Sequence, residues 1–81
     1  MTLNFGWVKM VKYKIIYEHN GILNCQILEC SYCDMYHDCE IIFRAGIRNI
    51  IYLYIIEHEF NGKAYIEEMN NIIDNMWRKY V

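Results

Sequence analysis

Proline is absent from this chain of 81 residues, and alanine occurs only at Ala45 and Ala64. Without proline no turn can rest on a preset φ, so each reversal of the chain has to come from residues such as glycine or asparagine. Glycine is scarce as well, at four residues, and none of them sits in a phosphate-cradling loop. No apolar run approaches the roughly 18 residues of a membrane-spanning helix. The longest, Ile50 to Ile56, has the length of a strand. A strong field of either sign is also missing: the formal charge is −2 and the pI is near 5.8, unlike a typical nucleic-acid binder or a dense acidic mimic. Met1 to Lys9 carry no basic region followed by an apolar stretch and a small-residue cleavage site. The expected location is therefore the cytoplasm, that of the host cell if the gene is phage-borne, with no membrane partner.

What the chain does have is apolar and aromatic surface, at 56% and 16% of residues against 22% charged. That balance excludes a disordered chain and fits one small domain over residues 1–81 with a single core. Isoleucine, asparagine, tyrosine, lysine and methionine dominate, residues with AT-rich codons. This composition points to a low-GC bacterium or to one of its phages or mobile elements.

From Val11 the pattern alternates, with Val11, Tyr13, Ile15 and Tyr17 apolar and Lys12, Lys14 and Glu18 charged, the period of a half-buried strand. A second strand begins at Ile22, and His19-Asn20-Gly21 between them signals a hairpin. A two-residue Asn-Gly turn would set Ile16 opposite Cys25 and Lys14 opposite Ile27, mixing the faces. A three-residue loop bulged at Gly21 sets Ile15 opposite Cys25 and Tyr13 opposite Ile27; this keeps the faces clean, so it is the register expected, with Cys25 in the core and Lys12, Lys14, Asn24 and Gln26 outside. Residues 30–39 read as a cysteine-rich loop and Glu40 to Phe43 as a short third strand, broken at Arg44-Ala45-Gly46. Ile47 to Phe60 reads as a strand covered on both sides, because β-branched and aromatic residues fill both of its alternating sets. A helix over 63–80 follows, with Asn61 as a cap and Tyr65, Ile66, Met69, Ile72, Ile73, Met76, Trp77 and Tyr80 as its apolar stripe. The fold expected is α+β: a small antiparallel sheet of three or four strands, N-terminal hairpin first, with one C-terminal amphipathic helix packed on it. Residues 1–9 are expected to form a flexible arm, or to precede an alternative start at Met10.

All four cysteines, Cys25, Cys30, Cys33 and Cys39, fall within fifteen consecutive residues that also hold His37. Cys30, Cys33, His37 and Cys39 are the ligand types of tetrahedral zinc, although His37 and Cys39 are only one residue apart and the ligands do not fall into two separated pairs. Cys30-Ser31-Tyr32-Cys33 has the spacing of a thiol redox pair but lacks the strand-to-helix context of such enzymes. Glu57-His58-Glu59 lacks the second histidine of a zinc-protease helix. No nucleophile, base or cofactor signature stands out, so no enzyme and no obligate cofactor are expected, zinc being the one metal the ligands could suit. Lys9, Lys12, Lys14, Arg44 and Arg48 could share a sheet face with Tyr52 and Tyr54. With eight tyrosines, two tryptophans and five methionines, some large apolar groups must stay on the surface, where they serve protein interfaces. The function expected is a small interaction protein that binds a host protein or ribonucleoprotein complex and inhibits or redirects it, an anti-CRISPR-type inhibitor of a defence nuclease being the concrete version. Self-association as a homodimer would use the same surplus. The alternatives are a zinc-stabilised nucleic-acid-binding regulator and a thiol redox protein.

Overall fold

A computed structural model describes residues 10–31 and 34–80, except for the side chain of Phe60. The arm expected over 1–9 and the cysteine at position 33 lie outside the described residues. Strand β1 (Val11–His19) and strand β2 (Ile22–Cys30) form the N-terminal hairpin. Asn20 and Gly21 both take positive φ, at 54° and 80°, as a two-residue type I′ turn requires. His19 consequently pairs with Ile22, Ile16 with Cys25, and Lys14 with Ile27. This corrects the expected three-residue loop: Cys25 is exposed rather than part of the core. The turn outranks the face pattern here. Asn24 and Gln26 lie on the helix side, where Gln26 Nε2 donates to the Tyr17 hydroxyl at 2.9 Å.

Strand β3 (Ile50–Ile55) pairs with the other side of β1, and the two-residue β4 (Phe60–Asn61) flanks it, giving an antiparallel sheet in the order β2-β1-β3-β4. A bulge at the Ile16/Tyr17 level sets Tyr17 opposite Ile50, and Asn70 secures that point. Its Oδ1 accepts the Ile50 N–H at 2.8 Å and its Nδ2 donates to the Ile50 carbonyl at 3.0 Å. Beyond β3, a 3₁₀ turn (Ile56–His58) carries the exposed Glu57 and His58. There Glu57 Oε1 accepts the Lys12 N–H at 2.6 Å, a donor that points past the end of β3.

Residues 35–44, expected as loop and third strand, are helix α1 (Met35–Arg44). Asp34 caps its start, accepting the N–H groups of Tyr36 at 3.0 Å and His37 at 3.3 Å. At its end Gly46 has φ +84°; the Gly46 N–H reaches the Phe43 carbonyl at 3.0 Å and the Ile47 N–H reaches that of Ile42 at 3.3 Å. This is the paired closure of a Schellman motif, and the buried Ile42 and Ile47 supply its apolar contact. Helix α2 (Lys63–Tyr80) has the expected limits, and Asn61 Oδ1 accepts the Lys63 N–H at 2.9 Å.

Both helices lie on one face of the sheet. Val11, Tyr13 and Ile15 of β1 and Leu53 and Ile55 of β3 meet Cys39 and Ile42 of α1 and Met69, Ile73 and Met76 of α2 in one core. Gly62 lets α2 start close to the sheet, since a Cβ there would stand 2.8 Å from Leu53 Cδ2. The expectation that β3 is covered on both sides is corrected: among the described residues no helix lies on the second face of the sheet, and along β3 Ile51 is exposed and Tyr52 and Tyr54 are partly so. Among the described residues no helix is long and apolar enough to cross a membrane.

Candidate interaction surface

Of the cysteine constellation, the described residues fall into a buried pair, Cys30 and Cys39, and the exposed Cys25 and His37. Cys30 ends β2 and Cys39 lies on the inner side of α1, both fully buried, and Cys39 Sγ approaches the Met69 carbonyl at 3.8 Å. Burial, reinforced by Asp38 nearby, pushes each of these thiols up to about 12. Each is thereby a weaker acid than a free cysteine and a poorer nucleophile at neutral pH. His37 is exposed, and two helical residues separate it from Cys39 by about 200° around α1, which places the two on opposite sides. Among the described residues no three histidine, cysteine, aspartate or glutamate side chains are placed to hold a metal ion.

Asp38 is the one buried charged residue of the described chain. Its Oδ2 accepts the Tyr13 hydroxyl at 2.7 Å, and its Oδ1 accepts both the backbone N–H and the hydroxyl of Ser31 at 3.0 Å. The carboxyl thus ties β1, the end of β2 and α1 together. A cleft of about 360 Å³ lies beside it, lined by Tyr13, Met35, Asp38, Tyr65 and Met69. The cleft follows the seam between the helices and the sheet.

The uncovered face of the sheet is the larger feature. Because Tyr13 and Ile15 point to the helices, alternation turns Lys12, Lys14 and Ile16 the other way, and the hairpin register adds Leu23, Cys25, Ile27 and Glu29 beside them. Strand β3 contributes Tyr54 opposite Lys14 and Tyr52 opposite Ile16. The two tyrosine rings lie nearly parallel, with centroids 6.4 Å apart and an interplanar angle of 9°. Leu23 and Ile27 stand 63% and 58% exposed. Lys12 faces Glu29 across the strands, and the Lys12 N–H holds the Glu57 carboxyl below the usual carboxylate range. The positive charge of this face is thus partly balanced, while its middle is apolar.

Of the residues expected to share a face, Lys12, Lys14, Tyr52 and Tyr54 do so. Arg44 and Arg48 do not join them. Arg48 lies beside α2, 3.5 Å from Asp74 Oδ1 and 5.4 Å from the centre of the Trp77 ring. Arg44, at the end of α1, lines a cleft of about 300 Å³ with Phe43, Gly46, Trp77 and Tyr80. Leu23, Cys25 and Ile27 were missing from the expected surface because the hairpin was read in the other register. The signal that places them there was the Asn-Gly pair. No protein-family model matches the chain, and no curated protein or solved structure is similar to it.

Proposed function

We propose that this chain is a non-enzymatic binding protein that captures a protein partner on the uncovered sheet face and blocks or redirects it. The observation that carries this reading is the set of Leu23 and Ile27, 63% and 58% exposed, on the face that also bears Ile16, Cys25 and the stacked Tyr52 and Tyr54. Burying such side chains is worth about 1.5–3 kcal/mol each, a gain that this chain alone does not collect. Aromatic side chains next to aliphatic ones on a rigid sheet have the composition of interface hot spots. A host complex, with a defence nuclease as the first candidate, is the partner class that the low-GC composition favours.

Affinity capture with the full chain from host extract, followed by rebinding to the purified captured protein, tests the reading. The expected result is a stoichiometric complex that Tyr52→Ala/Tyr54→Ala weakens by about 30-fold or more, the scale of a 2 kcal/mol hot spot. A captured protein that binds this folded double variant as tightly as the parent would overturn it. Lys14 directly across from Tyr54 favours a second reading, since basic and aromatic side chains on a sheet face also bind single-stranded nucleic acid. Salt-sensitive binding of a single-stranded oligonucleotide, lost in the same variant, would mark it.

A further inference from the structure

The two edges of the sheet are built differently. β4 is two residues long, a short edge of the kind that discourages pairing with another chain. β2 is nine residues long, Ile-Leu-Asn-Cys-Gln-Ile-Leu-Glu-Cys, with no lysine, no proline and Glu29 as its single charge. Ile22, Leu23 and Ile27 along it are exposed. Among the described residues, Glu29 near one end is the only one of the usual devices against edge-to-edge pairing on this strand.

The free hydrogen-bonding groups of β2 can be assigned from its neighbour. The Lys12 N–H goes to Glu57 and the Glu18 N–H to the Asn49 carbonyl, both on the β3 side of β1. Even-numbered residues of β1 therefore point away from β2, and Val11, Tyr13, Ile15, Tyr17 and His19 form its hydrogen-bonded pairs with β2. Their partners, Cys30, Leu28, Gln26, Asn24 and Ile22, are engaged. Leu23, Cys25, Ile27 and Glu29 direct their backbone N–H and C=O groups to the open edge.

We propose that a second copy of this chain occupies this edge, β2 against β2 and antiparallel, with Cys25 opposite the partner's Cys25 on the two-fold axis. In that register Leu23 meets the partner's Ile27 on the open face, while Asn24 meets the partner's Gln26 and Ile22 the partner's Leu28 on the other. Apolar groups thus meet apolar ones and amides meet amides. Glu29 lies far from the axis, so the two copies of the one charge on the strand stay apart. The hydrogen-bonded pairs are Leu23 with the partner's Ile27, Cys25 with the partner's Cys25, and Ile27 with the partner's Leu23. The short β4 edge stops growth, so the assembly closes as a dimer rather than a fibre. The paired segment Ile22 to Leu28 spans about 24 Å, and with a sheet thickness near 10 Å it buries on the order of 250 Å² per copy. That is below a standard interface. The dimer is therefore reversible, with a dissociation constant on the order of 10–100 μM. Because the axis is perpendicular to the sheet, both uncovered faces look the same way and form one bivalent surface.

Sedimentation equilibrium of the full chain under reducing conditions tests this. The expected mass rises with concentration from the 9.9 kDa of one chain toward twice that value. Cys25→Pro removes an N–H that points to the open edge and leaves the hairpin ladder intact, and Ile27→Lys charges an exposed position. Each is expected to weaken the dimer at least tenfold with an unchanged circular dichroism spectrum. In a Cys33→Ser background, diamide as a two-electron oxidant should take up the two thiol protons and electrons and leave a Cys25–Cys25 disulfide, since about 5.5 Å between paired Cα atoms lies within the disulfide range. A 9.9 kDa species at all concentrations, self-association that Ile27→Lys leaves unchanged, or dimers that form no Cys25 disulfide would overturn the proposal. Tyr52→Ala/Tyr54→Ala, away from the edge, should leave dimerisation intact, which separates this inference from the partner-binding reading.

Discussion

One sheet presents two faces of similar apolar content and opposite environment. On the covered face, Val11, Tyr13, Ile15, Leu53 and Ile55 meet α1 and α2 and lose nearly all contact with solvent. On the uncovered face, Leu23, Cys25 and Ile27 remain exposed, with Ile16, Tyr52 and Tyr54 partly so. The same alternation builds both, so hydrophobicity alone does not locate the core. What distinguishes them is the layer of helices on one side. A side chain on the covered face contributes to folding, and under the proposed function one on the uncovered face contributes to binding.

The contrast is sharpest in stability. Ile15→Ala removes a fully buried side chain and should cost about 3–4 kcal/mol in urea unfolding, whereas Ile27→Lys across the same hairpin should change stability by less than about 0.5 kcal/mol. Equal losses would erase the distinction between the faces. Asp38→Ala should cost about 2–3 kcal/mol, because it strands the Tyr13 hydroxyl and the Ser31 donors that the carboxyl accepts. Raising the pH should act next. Cys30 and Cys39 have folded-state pKa values pushed up to about 12 from the ordinary 9.0, so their contribution is intact below pH 9. It is lost as pH rises from there toward 12, with a limiting slope of about 1.4 kcal/mol per pH unit per thiol. A chain equally stable at pH 7 and pH 11 in chemical denaturation would contradict this. Gly62→Ala should cost less than the core substitutions, about 1–2 kcal/mol, as its Cβ must displace Leu53; a neutral result in thermal unfolding would show that Leu53 can move aside.

How much of this was legible in the sequence depended on which signal had a single meaning. The C-terminal helix was readable because its apolar stripe, its Asn61 cap and its terminal charges agree. The hairpin is readable in the sequence, but its register is not, because two signals conflict. Asn20-Gly21 specifies a two-residue turn through positive φ at both positions, while the apolar pattern favours another register only if the outer face has to be polar. That premise fails in a sheet with one uncovered, apolar face. Helix α1 is hidden for a different reason: residues 29–38 are polar and aromatic with no plain period and the apolar run Ile41 to Phe43 suits a short strand, although Met35, Cys39 and Ile42 have helical spacing between Asp34 as cap and Gly46 as terminator. The cysteines concentrate in sequence, yet the fold leaves Cys25 exposed on the sheet and buries Cys30 and Cys39 together beside Asp38. The distribution of Lys12, Lys14, Tyr52 and Tyr54 follows from strand alternation, which pattern does show. The positions of Arg44 and Arg48 follow from α1 and the turn that ends it, which the pattern does not show.

The central claim is that the uncovered face binds a protein partner and does not hold the fold together. The most direct measurement pairs the affinity of the captured partner with the unfolding free energy, for the parent chain and for Tyr52→Ala/Tyr54→Ala. The account predicts that binding falls by about 30-fold or more while unfolding free energy falls by no more than about 1 kcal/mol per tyrosine. Unchanged binding to a folded double variant would contradict it, as would a loss of stability on the scale of Ile15→Ala at either tyrosine.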